Sequence, residues 1–134
     1  MTEKTLKVII TGYYPANNKM EGGFKDCFGN PLRTLSDYDR EDPNHSYVSL
    51  AVDPEVIAKK SHINIEGFND KDGVPVLFYA CDVGGLIKGY HVDICCGSKK
   101  QTEIIDSNGE KRTLKILEQW INNRISFNKF QKYF

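Results

Sequence analysis

Short segments in which apolar and polar residues alternate recur along the chain and predict β-strands. The segment His62 to Glu66 shows this period most cleanly, with apolar residues on one face and polar residues on the other. β-Branched residues, which favour strands, fill Thr5 to Thr11, and Gly12 is expected to end that strand. Four further segments are predicted as strands: Tyr47 to Val52, Val76 to Ala80, Tyr90 to Cys95 and Arg112 to Leu117.

Short helices and turns are predicted between these strands. Pro54 to Ile57 follows an aspartate and is predicted as a short helix, and Lys99 to Asp106 as another. Asn69 to Gly73 is predicted as a hairpin tip and Ser107 to Glu110 as a turn. The last strand has an alternative that the pattern leaves open, since several apolar positions also follow helical spacing: Leu114, Leu117, Ile121 and Ile125.

About six short strands, frequent turn signals and little helix indicate a mainly β fold in the form of a small closed barrel, which leaves no exposed sheet edge. A length of 134 residues fits one domain. We expect the barrel to occupy about residues 5–118, with an irregular loop over Ala16 to Asn30. Residues 119–134 are expected to form a helix or strap over the barrel end, although their aromatic and basic residues also fit a cationic anchor.

The charge of the chain gives no reason to expect a nucleic-acid partner. Its 18 basic and 18 acidic residues balance, so no net positive field attracts a polyanion. The distribution is uneven, with a balance of −4 over residues 1–98 and +4 over residues 99–134. The basic part fits a solvated face or a surface that docks on an anionic cell wall or membrane.

No apolar run approaches the ~20 residues of a membrane span, and the first residues lack the features of a secretory signal. We therefore expect a protein that is made in the cytoplasm, does not insert stably into a membrane and is monomeric. No metal or cofactor is implied, because the cysteines have no C-x-x-C spacing and no matching histidines. They are expected to be mostly buried thiols: Cys27, Cys81, Cys95 and Cys96.

Candidate chemistry concentrates in the glycine-rich stretch from Asp82 to Asp93. Asp82 closes one predicted strand and Asp93 lies within the next, so a hairpin-like connection is expected to bring both carboxyl groups to one rim. Two carboxyl groups at one rim are the minimum for acid/base cleavage of an acetal. Val92 and Ile94 flank Asp93 and are expected to shield it, which raises the pKa of a carboxyl group.

Three motifs resemble the three-aspartate ("3D") domain, the double-psi β-barrel of membrane-bound lytic transglycosylase A and related bacterial and phage cell-wall enzymes. The resemblance spans about residues 8–97 and is weak beyond Gly97. It departs from the family at Ala58-Lys59-Lys60, where a proline and a glycine are usual. The matching segments are Ala51-Val52-Asp53-Pro54-Glu55-Val56-Ile57, Asp82-Val83-Gly84-Gly85-Leu86-Ile87-Lys88-Gly89 and His91-Val92-Asp93, preceded by Thr11-Gly12-Tyr13-Tyr14-Pro15.

The resemblance implies a six-stranded double-psi β-barrel that cleaves the β-1,4 bond between N-acetylmuramic acid and N-acetylglucosamine in peptidoglycan. Asp93 aligns with the catalytic acid, Asp82 with a second site aspartate, and Asp53 with a third that is expected to be structural. It also implies a non-hydrolytic route in which Asp93 first protonates the leaving oxygen and then deprotonates the C6 hydroxyl, to give a 1,6-anhydro product. Such an enzyme acts at the cell wall or periplasm, for example as a phage-type lysin or a virion component.

Further residues near the aspartates are candidates for substrate contact or for packing. Thr11 is expected to hydrogen-bond Asp93, and Lys88 to pair with Asp82, contact a substrate carboxylate or remain solvated. His91 is expected on the side of Asp93 but without a partner. The other substrate-binding candidates are Tyr13, Tyr14 and Tyr90, whose rings suit the apolar faces of sugars, and Gly85, whose backbone could contact a sugar.

Two other functions fit the same fold, because function lies in the site rather than in the scaffold. One is a polysaccharide-binding or wall-loosening module in the manner of expansin-like barrels, which need not cleave bonds. The other is a protein inhibitor that uses the Ala16 to Asn30 loop as its binding surface.

Overall fold

Six strands form a closed, mixed β-barrel in the computed structural model, which describes residues 4–15 and 24–117. The prediction of a mainly β, six-stranded double-psi β-barrel is confirmed, with one short helix in the described part of the chain. The strands are β1 (Lys4–Tyr13), β2 (Val48–Ala51), β3 (His62–Ile65), β4 (Phe78–Asp82), β5 (His91–Cys95) and β6 (Lys111–Ile116), and the helix is α1 (Lys99–Ile105).

The apolar residues of the alternating segments fill the inside of the barrel. In β1, Val8 and Ile10 are fully buried while the residues between and around them are partly or fully exposed. β2 is buried along its whole length. The other strands contribute further side chains that are at most slightly exposed: Ile63, Ile65, Phe78, Ala80, Val92, Ile94, Leu114 and Ile116.

The order of strands around the barrel is β1-β5-β2-β4-β3-β6. β1 pairs with β5 and β2 with β4 in parallel, and the remaining neighbours are antiparallel. Because β2 lies between β4 and β5, the predicted hairpin-like connection between Asp82 and Asp93 is wrong. The intervening segment instead crosses over β2 to reach the far side of that strand.

Most predicted elements are confirmed, with two corrections and one alternative settled. β1 continues through Gly12 to Tyr13, because that stretch pairs with β5 as far as Cys95. The predicted helix at Pro54 to Ile57 is a turn in which the amides of Val56 and Ile57 both bond the Asp53 carbonyl. The ambiguous last segment is a strand over Lys111–Ile116. The helical alternative at Ile121 and Ile125, the tail and residues 16–23 of the predicted loop lie outside the described residues.

The predicted helix after β5 and the two predicted turns are present. α1 begins after Ser98, whose side chain accepts a hydrogen bond from the Gln101 amide. The hairpin tip closes through a bridge between Asn69 and Pro75, with Gly73 at a φ of 79°. The later turn joins the Glu110 amide to the Ser107 carbonyl over 3.0 Å.

Candidate active site

Asp82 and Asp93 lie in one row of paired residues that crosses four neighbouring strands. Ala51 of β2 is the Cα partner of Asp82 on β4 and of Asp93 on β5. Asp93 is in turn the partner of Thr11 on β1. Directly paired residues project from the same face of a sheet, and adjacent strands lie about 4.7–4.9 Å apart. The two aspartates therefore share a face and are separated by the width of two strand spacings.

A bulge in β4 brings Asp82 into this row. Leu50 pairs with Ala80, but the next residue, Ala51, pairs with Asp82, so Cys81 is the extra residue. In a regular ladder Cys81 would oppose Ala51, and Asp82 would project from the opposite face to Asp93. The Cys81 carbonyl at the bulge accepts hydrogen bonds from the amide and the thiol of Cys27, each over 3.1 Å. The segment around Cys27 thus holds the distortion that aligns the two carboxyl groups.

Asp93 is a partly buried carboxyl group with one hydroxyl partner. The Thr11 hydroxyl donates to Asp93 Oδ1 over 2.9 Å, as the sequence predicts. Burial raises the pKa of Asp93 above its usual range, and the charges of Asp82 and Asp106 raise it further. The Thr11 hydrogen bond and His91 act in the opposite direction and lower this pKa. The net upward shift favours the protonated form that a general acid needs.

Asp82 is held by a phenol. Tyr13 donates its hydroxyl to Asp82 Oδ2 over 3.1 Å. Burial raises the pKa of Asp82, while hydrogen bonds from the Val83 amide and Tyr13 lower it and the nearby Asp26 raises it. Burial also raises the pKa of Tyr13 well above 10.0, so Tyr13 stays protonated near neutral pH and acts as a donor. Its hydroxyl is directed at Asp82, which makes Tyr13 a positioning group as well as a candidate for substrate contact.

Asp53 holds the crossing segment between Asp82 and Asp93. Its carboxyl group accepts hydrogen bonds from the Gly89 amide over 2.8 Å and the Glu55 amide over 3.0 Å. These two bonds, together with the positive charge of Lys88, lower the pKa of Asp53. Gly89 has a φ of 71°, a conformation that favours glycine. These contacts agree with a structural role for Asp53.

The exposed side of the crossing contains the other predicted contact residues. Tyr90 is 55% exposed, and a Cβ built on Gly85 meets no atom within 4 Å. Lys88 is exposed, and none of the ion pairs among the described residues joins it to Asp82. Leu86, at 91% exposed, is the most open large apolar side chain of the described residues. Gly85, Lys88 and Tyr90 are thus accessible to a ligand at the rim.

His91 has a partner that the sequence does not reveal. Its Nε2 lies 2.8 Å from the Thr11 hydroxyl, so the expectation that it has none is wrong. Alternation along β5 indicates that His91 and Asp93 share a face, but only the parallel pairing of β1 with β5 places Thr11 beside both. No signal in the sequence fixes that pairing.

The cysteines are free thiols, and three of the four are buried, as predicted. Burial raises the pKa of Cys81, Cys95 and Cys96 to about 12, so these thiols stay protonated near neutral pH. Cys27 is exposed, and burial of its thiol still raises its pKa. These groups therefore lack the thiolate character of a nucleophile.

Comparisons with known proteins identify a family and give distant structural matches. The family model described as the 3D domain matches residues 48–116, a range that includes Asp53, Asp82 and Asp93 and extends past Gly97. No curated protein gives a significant match. Among the solved structures that match is a lytic transglycosylase, LtgG, of Burkholderia pseudomallei, at 20% identity and a TM-score of 0.39. The alignment covers 68% of this chain and 24% of that chain, so it spans about a quarter of the neighbour's length.

Proposed function

Because this chain belongs to the 3D domain family, we propose that it is a lytic transglycosylase that cleaves the β-1,4 bond between N-acetylmuramic acid and N-acetylglucosamine in peptidoglycan. The observation that carries the proposal is the environment of Asp93. Its carboxyl group is partly buried, its pKa is raised, and it shares a sheet face with a second carboxyl group in the same row. Burial near a second carboxyl group favours the protonated form that a general acid needs.

Asp93 serves first as the acid and then as the base. Thr11 engages Oδ1, and no hydrogen bond from a described residue engages Oδ2, which leaves Oδ2 for the substrate. The carboxyl proton of Asp93 passes to the glycosidic oxygen as the bond from that oxygen to the anomeric carbon breaks. The resulting carboxylate then removes the proton from the C6 hydroxyl, whose oxygen bonds to the anomeric carbon. The product is a 1,6-anhydro sugar, the proton returns to Asp93, and no water is consumed.

Asp82 assists without exchanging a proton with the substrate. Its charge raises the pKa of Asp93, and a carboxylate on the same face also stabilises the positive charge that develops on the sugar ring. Tyr13 fixes its orientation. In a hydrolytic variant of the reaction, Asp82 would be the base that activates water.

The substrate is expected to lie along the rim formed by the crossing segment. The Tyr90 ring offers an apolar plane for a sugar face, and the open backbone at Gly85 allows close approach. Lys88 is exposed on the same segment, and we propose that it binds a carboxylate of the peptide stem. We further propose that the chain acts as a monomer at the cell wall or periplasm, with the barrel as its catalytic unit. No helix within residues 4–15 and 24–117 is long and apolar enough to cross a membrane.

Digestion of purified sacculi, the insoluble peptidoglycan of the cell wall, tests this function directly. Wild-type protein, Asp93→Asn and the exposed control Asp37→Asn are compared for the release of soluble muropeptides and for co-sedimentation with the sacculi. Loss of the acid is expected to reduce the rate of release about 10²–10⁴-fold, with no effect of the control variant. Sacculus binding without release by the wild type would contradict the enzymatic proposal and support the expansin-like alternative.

A further inference from the structure

The Thr11 hydroxyl lies between two titratable side chains. Its Oγ1 is 2.9 Å from Asp93 Oδ1 and 2.8 Å from His91 Nε2. Parallel pairing creates this arrangement, because Thr11 is opposite Asp93 while His91 precedes Asp93 by two residues on the same face of β5. A third possible acceptor, the Val92 carbonyl, is more distant at 3.5 Å.

A hydroxyl group has one proton to donate, so these contacts allow two states of the chain. In the first, His91 Nε2–H donates to Thr11 and Thr11 donates to a carboxylate on Asp93. In the second, a protonated Asp93 donates to Thr11 and Thr11 donates to the bare Nε2 of His91. The two short distances fit either direction equally well. The direction of the hydrogen bond at one end of Thr11 thus fixes its direction at the other end.

We propose that His91 is a positioning residue that controls, through the Thr11 hydroxyl, whether Asp93 holds its proton. The proton leaves Asp93 Oδ1 for Thr11 Oγ1 as the Thr11 proton moves to His91 Nε2, which leaves a carboxylate and an imidazolium. The reverse movement restores the acid and the neutral ring, and no charge is gained or lost. The importance of this control for catalysis rests on the proposed function, whereas the coupling is a property of the free protein.

The surroundings give His91 an electrostatic role that no neighbour shares. Among the described residues, the titratable groups that act on Asp93 are Asp82 from β4, Asp106 after α1 and His91 itself, and Asp93 in turn raises the pKa of the Cys96 thiol after β5. Asp82 is in turn bound by Tyr13 of β1. Of these groups, His91 alone carries a positive charge when protonated, and histidine changes charge between about pH 5 and 8. An imidazolium therefore favours the Asp93 carboxylate, and a neutral ring that accepts from Thr11 favours the acid.

The coupling predicts a particular titration of the wild-type protein. Two groups that share a proton titrate in macroscopic steps that belong to the pair. The Asp93 carboxyl group should therefore show two inflections, one of which coincides with the titration of the His91 ring. This behaviour is observable by NMR on protein labelled with ¹³C at aspartate and histidine, without any substrate.

Two pairs of variants test the proposal. In His91→Gln, the side-chain amide reaches Thr11 without titrating, so the Asp93 curve should lose the inflection shared with His91 and move to higher pH. His45→Gln, which alters a partly exposed histidine paired with Asp42, should leave the curve unchanged. Thr11→Val should remove the inflection shared with His91, while Thr11→Ser should retain it. Serine keeps the hydroxyl and lacks only the methyl group, so this variant separates the effect of the hydroxyl from other effects of changing Thr11.

The results separate this proposal from the proposed function. A shared inflection that persists in Thr11→Val would show that the effect acts through space and would overturn the role of Thr11. A wild-type curve with one step would overturn the coupling altogether, even if sacculi are cleaved by Asp93. If the coupling is present but sacculi are not cleaved, the proposed function fails and the inference stands. In an active enzyme, the alkaline limb of kcat/KM should move to higher pH in His91→Gln.

Discussion

Asp82 and Asp93 are both paired with Ala51, from opposite sides of β2. This relationship arises from two features of the fold, the crossing of the segment between them over β2 and the bulge at Cys81. The carboxyl groups consequently share a face without a hydrogen bond between them in the described part of the chain. Each has its own hydroxyl donor, Tyr13 for Asp82 and Thr11 for Asp93. These different partners fit the proposed roles of Asp93 as the acid and Asp82 as an assisting carboxylate.

Replacing Tyr13 with phenylalanine should remove the hydrogen bond to Asp82 without opening a cavity. The Tyr13 hydrogen bond lowers the pKa of Asp82, so its loss should raise that pKa. The free energy of unfolding should fall by about 1–2 kcal/mol, the usual contribution of such a bond. Carboxyl titration by NMR and urea denaturation measure the two effects. Tyr14→Phe, which alters a more exposed ring, should change neither quantity, and equal effects from both variants would contradict the assigned contact.

Asp93→Asn should make the protein more stable near neutral pH. Burial raises the pKa of Asp93 in the folded state above the value of 3.8 expected when unfolded. The unfolded chain therefore loses this proton first, and wild-type stability falls as pH rises from about 3.8 through the folded-state pKa. Asparagine does not ionise and still accepts from Thr11. Thermal unfolding should show a higher Tm for the variant at pH 7 and a difference that shrinks towards pH 3.

A lower Tm for Asp93→Asn at pH 7 would contradict a destabilising carboxylate at this position. The variant Asp37→Asn, measured in the same way, is the control for general effects of removing a negative charge. Asp37 is exposed, so its replacement should change Tm little at either pH.

Alanine substitutions at two glycines should separate an effect on packing from an effect on substrate contact. A Cβ on Gly12 would lie 2.8 Å from Cys96 Sγ and 3.0 Å from the Thr102 backbone, so Gly12→Ala should destabilise the fold by about 1–3 kcal/mol. A Cβ on Gly85 meets no atom within 4 Å, so Gly85→Ala should leave stability unchanged. Urea denaturation tests both expectations. If Gly85→Ala retains its stability but raises KM for glycan cleavage, then a sugar lies against that backbone. An unchanged KM would contradict the contact.

The sequence predicts the strands well because their apolar residues alternate with the period of a half-buried sheet. His62 to Glu66 is the clearest example, and the structure has a strand at His62–Ile65. The motifs around Asp53, Asp82 and Asp93 are likewise local, so the family could be identified from them. The Thr11 contact with Asp93 was predicted because the resemblance includes the first strand, although the resemblance does not give the strand pairing that also places His91 beside Thr11.

Strand pairing could not be predicted from the sequence, and the wrong predictions about the Asp82 to Asp93 connection and the partner of His91 follow from this. A glycine-rich segment between two strands is typical of a hairpin, yet here it spans β2. The bulge at Cys81 depends on bonds from Cys27, 54 residues away. The partner of His91 depends on a parallel pairing between the first and fifth strands. All three are long-range relationships, which local periodicity does not encode.

The most direct test of the account is the fate of water during cleavage. Purified sacculi are digested in water enriched in ¹⁸O, and the soluble muropeptides are analysed by mass spectrometry. If Asp93 serves as both acid and base, the products have 1,6-anhydro ends without ¹⁸O, and they disappear in Asp93→Asn. Products with ¹⁸O at their reducing ends, or release that continues in Asp93→Asn, would contradict it.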